Sequence, residues 1–333
     1  MVAALRPLRL VFFGTPDFAV PSLEALFGSH HAVVGVVTQP DRPRGRGQRV
    51  TDSPVKRAAH SGGVPVLQPD KLKDESFLAD LRAWNADAGV VAAYGKILPA
   101  AVLDAPPMGL LNVHASLLPR HRGAAPVHRS IIAGDRETGV SIMRVVQALD
   151  AGGVFATASR AIGPDDTSAD VERDLARLGA SLLLDVLGQL AAGRAVETPQ
   201  DEAGATYAHR LRKEEGLVDW RAAAASIHNQ VRGLQPWPMA WTFFGGRRVI
   251  LVRTRAVPEA PDRGNAPGSI VEIPKDALRV QTGAGLIDVL IVQPEGRRAM
   301  AARDFAAGHH VDAGLRFDSP PIEPAPAPAA GRA

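Results

Sequence analysis

Up to Leu190 the chain repeats one pattern: a short apolar run, a polar break, then an amphipathic stretch. The runs are Arg9-Leu-Val-Phe-Phe13, Val33–Val37, Pro65–Leu67, Ala88–Ala93 and the run that starts at Gly109. Apolar strands separated by helix-length intervals bury both of their faces, and such crossovers make parallel sheets. The intervals carry helix signals. Thr15-Pro16-Asp17 opens a helix through Leu23 and Leu26, with Thr15 as cap, Pro16 in the first turn and Asp17 on the dipole. Ser53 caps another helix, and Leu72 to Trp84 is amphipathic. Gly139–Val146 and Val154–Ala158 read as two more strands. Ser168 to Leu190 reads as a long helix, with Val171, Leu175, Leu178, Leu182, Val186 and Leu190 on one face. The expected fold is α/β, a doubly wound, mostly parallel, Rossmann-like sheet. No G-x-G-x-x-G follows the first strand, so a dinucleotide cofactor has no support.

The 333 residues predict two domains. Residues 1–193 form the α/β unit. Helical periodicity then lapses, and 194–212 read as a linker. Over 213–315 short apolar runs alternate with Gly, Pro and Asp, the pattern of a small antiparallel, OB-like barrel. Residues 316–333 are Pro/Ala-rich and expected to be disordered. From Gly204 onward there are 17 Lys and Arg against 13 Asp and Glu, and before it 21 against 22. A basic second half on a neutral first half fits a polyanion partner or a solvated surface. The absence of Cys excludes disulfides, thiol catalysis and cysteine-bound zinc, and fits a cytoplasmic protein. No apolar run is long enough for a membrane span, and Met1-Val-Ala-Ala-Leu-Arg6 lacks a secretory pattern. A monomer is expected.

One stretch concentrates chemistry: Gly109-Leu-Leu-Asn112-Val-His114-Ala-Ser116-Leu-Leu-Pro119-Arg-His-Arg-Gly123. On an extended backbone residues two apart share a side, so the Asn112 amide and His114 imidazole converge at a strand's carboxyl end. Open α/β sheets bind ligands there. Ser116-Leu117-Leu118-Pro119 makes a stiff turn able to wall a flat ring, and Tyr94 ends the neighbouring strand. Asp150 precedes two glycines, either as a turn residue or as a partner for His114. If the three meet, Asn112 and His114 face an oxyanion while Asp150 tunes His114 and handles the departing proton. No Ser stands in a G-x-S-x-G context and no cluster has metal-ligand spacing, so direct transfer between two bound substrates is the simpler chemistry. His121 and His128 read as structural or surface residues.

Thr38-Gln-Pro-Asp-Arg-Pro-Arg-Gly-Arg-Gly-Gln-Arg-Val50 lacks apolar periodicity and reads as a long exposed loop. Its guanidiniums Arg42, Arg44, Arg46 and Arg49 can fork onto phosphates.

The pattern Asn112-x-His114-x-Ser116-Leu117-Leu118-Pro119-x-x-x-Gly123 resembles the signature of the folate-dependent formyltransferases. Gly14-Thr-Pro-Asp-Phe18, Thr38–Pro43, Gly45-Arg-Gly47, Ala93-Tyr-Gly95, Arg122–Pro126, Gly139–Met143, Leu149-Asp150, Lys213-Glu-Glu215 and Pro236-Trp-Pro238 extend the likeness, nearly over the whole length, to the methionyl-tRNA formyltransferase family. The resemblance implies formyl transfer from 10-formyltetrahydrofolate to the amino group of methionine on initiator tRNA. It implies catalytic roles for Asn112, His114 and Asp150, and folate contact by Ser116 to Pro119. The 38–49 loop then enters the acceptor-stem end with Arg46 as its key arginine, a basic barrel supports the tRNA, and Arg210 and Lys213 are further contacts. Ala115 stands where tRNA-acting members usually carry Gly, and Arg44 where they often carry a small residue. Alternatives are a sugar formyltransferase, a formyltetrahydrofolate hydrolase, or a non-catalytic tRNA-binding relative. The Arg-rich loop argues against the first two, and the intact trio against the last.

Overall fold

A computed structural model describes residues 6–44, 49–257 and 264–318. It divides the chain into two compact units, 1–130 with 135–210, and 131–134 with 211–333.

The first unit is built on a seven-stranded sheet: β1 (Arg9–Gly14), β2 (Ala32–Val37), β3 (Val66–Leu67), β4 (Ala88–Ala92), β5 (Leu110–His114), β6 (Glu137–Arg144) and β7 (Val154–Ala161). Their order across the sheet is β7-β6-β5-β4-β1-β2-β3. The five strands from β5 to β3 pair parallel, and β6 and β7 are antiparallel additions. The expected mostly parallel doubly wound sheet is therefore present. The chain runs from β1 outward to β3, then crosses back to β4 on the other side of β1. That reversal opens a crevice at the carboxyl ends of β1 and β4.

Helices α1 (Val20–Phe27) and α2 (Pro54–Ser61) follow β1 and β2, and α3 (Glu75–Ala83) precedes β4. Ser53 caps α2 as expected, accepting from the Lys56 amide at 3.1 Å. Thr15 does not cap α1. A 3-10 turn, Asp17–Ala19, intervenes, and the Thr15 hydroxyl donates instead to the Tyr94 carbonyl at 3.3 Å. That bond ties the end of β1 to the end of β4, where the crevice lies. Helix α4 (Pro126–Ala133) follows the Asn112 motif.

The long helix α5 (Ser168–Ala191) starts at a capping box, in which Thr167 accepts from the Asp170 amide and Asp170 accepts from the Thr167 amide. Its buried face runs through Val171, Leu175, Gly179, Leu183 and Val186. A Cβ at Gly179 would stand 2.6 Å from Val113 Cγ1, so glycine lets the helix lie directly on β5. Changing Thr167 to alanine leaves the Asp170 amide without its side-chain acceptor. Urea unfolding should then show a loss of about 1 kcal/mol in stability, with no change in the slope against urea.

The second unit holds an antiparallel sheet of β8 (Ala240–Phe244), β9 (Arg247–Val257), β10 (Ile270–Glu272), β11 (Leu278–Gln281), β12 (Leu286–Pro294) and β13 (Met300–Ala301). Its order is β8-β9-β12-β11-β10, with β13 also on β12. The alternation of the sequence is kept: Val249, Leu251, Val280, Ile287, Val289 and Val292 point inward with Trp220, Ile227, Phe305 and Phe317. This is the expected small barrel. It is flanked by α6 (Ala224–Gly233) and α7 (Ala302–His309). Trp220 stacks on Phe317 and donates to the Thr242 hydroxyl at 3.0 Å.

Residues 194–212 read as a linker because they lack periodicity. Through Arg210 they cluster with the first unit. Val154 and Thr198 exchange backbone hydrogen bonds, and Tyr207–Ala208 pairs parallel with Arg122–Gly123. Two-residue pairings are too short to leave a hydrophobic period. Residues 316–318, expected to be part of the disordered tail, are ordered: Phe317 is buried in the barrel and Asp318 exchanges backbone hydrogen bonds with Phe243, while the tail from Ser319 on lies outside the described residues.

Candidate active site

Strand β5 places Asn112 and His114 on one side at its carboxyl end. Its neighbours set the register, Val91 on β4 and Met143 on β6 lying beside Asn112. The expected convergence with Asp150 occurs. Asp150 sits in the connection from β6 to β7, and its Oδ2 is 3.7 Å from His114 Nδ1. All three residues line one cavity of about 730 Å³.

The contacts of each group decide what it can do. His114 is 5% exposed, and its Nε2 lies 3.0 Å from the His121 carbonyl oxygen. A carbonyl only accepts, so Nε2 carries a hydrogen and donates. The other nitrogen faces a carboxylate at a distance too long for a direct hydrogen bond. Nδ1 is thus the ring nitrogen turned to Asp150. Asp150 Oδ2 is fixed by the Gly123 amide, which donates at 2.8 Å. A Cβ on Gly123 (φ +119°) would come within 2.8 Å of the Ala208 carbonyl, so glycine is needed to present this amide. The Asn112 amide makes no hydrogen bond among the described residues. It is the donor of the trio left open toward the cavity.

The cavity lies in the crevice that the sheet topology opens. Pro16 to Phe18 come from the end of β1, and Ala93 to Leu98 from the end of β4. Val145 to Asp150 come from the β6–β7 connection, and Gly123 to His128 from the start of α4. Phe18, Ile97, Leu98, Val146 and Leu149 make its walls apolar, and Ile97 is 86% exposed at the surface. Apolar walls suit a flat ring system, polar groups such as Lys96, Gln147 and Glu172 lie beside the trio to orient it, and the volume is that of a small-ligand site.

The expected site residues divide by location. Tyr94 lines the cavity; it is buried, and its hydroxyl finds no hydrogen-bond partner among the described residues. Burial pushes its phenol up to about 12. Ser116, Leu117, Leu118 and Pro119 are not among the residues that line this cavity. The Ser116 hydroxyl is turned inward to the Arg120 carbonyl at 2.6 Å. Ser141 ties the turn to β6, donating to the Ser116 carbonyl and accepting from the Leu118 amide. The turn shapes the strand end behind the site. His121 fits its structural reading, its Nε2 meeting Asp135 at 2.7 Å. His128 does not lie idle on the surface but lines the cavity, 3.7 Å from Glu172, whose carboxyl burial pushes up. Nothing in the periodicity of α5 singled out Glu172.

Among the basic residues, Arg42, Arg210 and Lys213 are exposed. Arg210 belongs to the first unit and Lys213 to the second. The loop expected after β2 contains a small antiparallel pairing, Pro43–Arg44 with Arg49–Val50. Arg46 and the side chains of Arg44 and Arg49 lie outside the described residues. At the base of the loop Asp41 is gripped by Lys56 and by Gln68, and both bonds hold its carboxyl below the usual carboxylate range, Lys56 the more strongly. Among the described residues no group of His, Asp or Glu has the arrangement of a metal site, and no helix is long and apolar enough to cross a membrane.

The doubly wound sheet with a crevice at its carboxyl ends is the fold of a formyltransferase, and the family comparison gives that class. Residues 8–187 match the family model for formyl transferases, and 210–310 that for the formyl transferase C-terminal domain. The methionyl-tRNA formyltransferase of Heliobacterium modesticaldum is 47% identical over 316 residues, covering 93% of this chain and 100% of the relative. That of Coxiella burnetii is 47% identical over 302 residues, 91% of this chain and 96% of the relative. The chain belongs to the methionyl-tRNA formyltransferase family. More distant solved structures share the fold. An N-formyltransferase from Helicobacter canadensis, solved with folinic acid and dTDP-3-aminofucose, is 16% identical with a TM-score of 0.64, over 85% of this chain and 99% of that one. HypX from Aquifex aeolicus, solved with tetrahydrofolic acid, is 16% identical with a TM-score of 0.60, over 90% of this chain and 47% of that one.

Proposed function

We propose that this protein transfers a formyl group from 10-formyltetrahydrofolate to the methionine amino group of initiator Met-tRNA, by direct attack within the cavity. The observation that carries this reading is that Asn112 and His114, from the end of β5, and Asp150, from the β6–β7 connection, line one apolar-walled cavity. The walls suit the flat ring of the donor, and Tyr94, protonated at neutral pH, lines the same space.

In this reading Asn112 donates to the formyl oxygen as it gains negative charge, and His114 adds positive charge beside it when protonated. The amino nitrogen forms the new bond to carbon and loses a proton, which Asp150 accepts. The tetrahedral species collapses as the bond to the folate nitrogen breaks, and that nitrogen takes a proton back. Atoms and charge balance without a covalent enzyme intermediate. Gly123 holds Asp150 by one oxygen, so the other remains for the proton.

Arg42, Arg44, Arg46 and Arg49 bind phosphates near the acceptor end, with Arg210 and Lys213 as further contacts. Arg46→Ala should raise KM for Met-tRNA about tenfold at physiological salt, with kcat little changed and a shallower dependence of log KM on log salt. Kinetics and salt slope like those of the parent protein at low tRNA concentration would remove Arg46 from the interface. The activity is tested by incubating Met-tRNA with the donor, hydrolysing the ester and weighing the amino acid. N-formylmethionine supports the reading. Consumption of donor with formate as the product would make the protein a hydrolase.

A further inference from the structure

The segment after α5 carries polar side chains that the chemistry above does not use, and they run from the surface to the back of Asp150. Glu202, whose side chain is 70% exposed, takes a bidentate pair of bonds from Arg122, at 2.9 Å from Nη1 and 2.7 Å from Nη2. Arg122 is 2% exposed, the largest of the fully buried side chains. Its Nε and Nη2 also donate to Gln200 Oε1, at 3.0 and 2.8 Å. Gln200 Nε2 donates in turn to the carbonyl oxygens of Asp150 at 2.8 Å and Gly152 at 2.7 Å. Both hydrogens and both lone pairs of the Gln200 amide are thereby used. The reverse orientation would set oxygen against two carbonyls and NH₂ against a guanidinium, so the amide has one possible setting.

We propose that Gln200, oriented by Arg122, is a positioning residue that holds the Asp150 turn and thereby aims the Asp150 carboxylate at His114. Asp150 has φ +48°, a left-handed conformation that non-glycine residues keep only when their surroundings enforce it. The two carbonyls that Gln200 grips are that of the strained residue itself and that of Gly152, two residues on. The same dipeptide, Arg122-Gly123, holds Asp150 at both ends: the Gly123 amide binds Oδ2 directly, and Arg122 fixes the backbone through Gln200. A carboxylate 3.7 Å from its imidazole has little tolerance for rotation of its turn. Gln200 is not among the residues that line the cavity and acts through Asp150. The inference rests on the catalytic reading of Asp150 given above.

The test compares Gln200→Leu, Gln200→Glu, Asp150→Ala and the double variant Gln200→Leu/Asp150→Ala in the full chain, by steady-state formylation of Met-tRNA, with thermal melting to confirm folding. Gln200→Glu can still accept from Arg122 but offers no donor to the two carbonyls, so it decides the matter if Gln200→Leu does not fold. Each Gln200 variant should lose on the order of 10- to 100-fold in kcat while KM for both substrates stays near that of the parent. The double variant should be no slower than Asp150→Ala alone, since a positioning residue has nothing left to position. A folded Gln200 variant with parental kcat, or losses that multiply in the double variant, would overturn the role of Gln200 and leave Asp150 standing. A parental kcat in Asp150→Ala would overturn the catalytic reading and this inference with it.

Discussion

Replacing His114 or Asp150 by alanine is expected to cut kcat for formyl transfer by about 10²- to 10⁴-fold, the range for losing a positioned acid–base group. The Kd for Met-tRNA should stay close to that of the parent. The two expectations have separate physical sources. His114 and Asp150 are inside the cavity, 6% and 15% exposed in their side chains, where they can reach a reacting atom but not a phosphate backbone. The proposed tRNA contacts are guanidiniums and ammonium groups elsewhere, and electrostatic affinity follows those charges. Removing Asp150 also leaves the Gly123 amide without its acceptor, so Asp150→Asn is the cleaner variant: it keeps an oxygen for Gly123 but cannot take a proton. A filter-binding titration beside single-turnover kinetics separates the two effects. A large rise in Kd with an unchanged rate constant would reverse the assignment.

The second large effect belongs to Asn112. Loss of a single oxyanion donor costs about 10²- to 10³-fold in kcat, and Asn112→Ala should show it with an unchanged melting temperature. The stability expectation follows from the lack of intramolecular partners for the Asn112 amide: truncation strands no buried group inside the protein. Asn112→Asp should be worse than alanine, since it sets a negative charge where negative charge develops. If Asn112→Ala instead raised KM for the donor at constant kcat, the amide would be a ground-state binding group and not a transition-state donor.

Much of this architecture could be read from residue patterns, because strands leave the strongest local trace. The apolar runs of β1, β2, β4 and β5 appear within a residue or two of their positions, and the spacing of Asn112 and His114 by two forces them to one side. Features carried by contacts between distant segments were less visible. The direction of β6 and β7 depends on connection length, to which hydrophobic pattern is blind. Thr15 has the chemistry of a cap, but the Tyr94 carbonyl lies within reach and takes its hydroxyl. Ser116 to Pro119 look like a pocket wall because they are apolar and stiff. Their turn also closes on Arg120 within the motif and on Ser141 of β6, contacts that no local pattern announces. Gln200 lay in what reads as a linker, and only the fold brings it to Asp150, fifty residues earlier in the chain.

The structure of the protein bound to a stable 10-formyltetrahydrofolate analogue bears most directly on the central claim. The account predicts the pterin ring between the apolar walls formed by Phe18, Leu98 and Leu149, with the oxygen that mimics the formyl group accepting from the Asn112 amide and Asp150 still beside His114. A ring bound outside that crevice, or an Asn112 amide turned away from that oxygen, would contradict it.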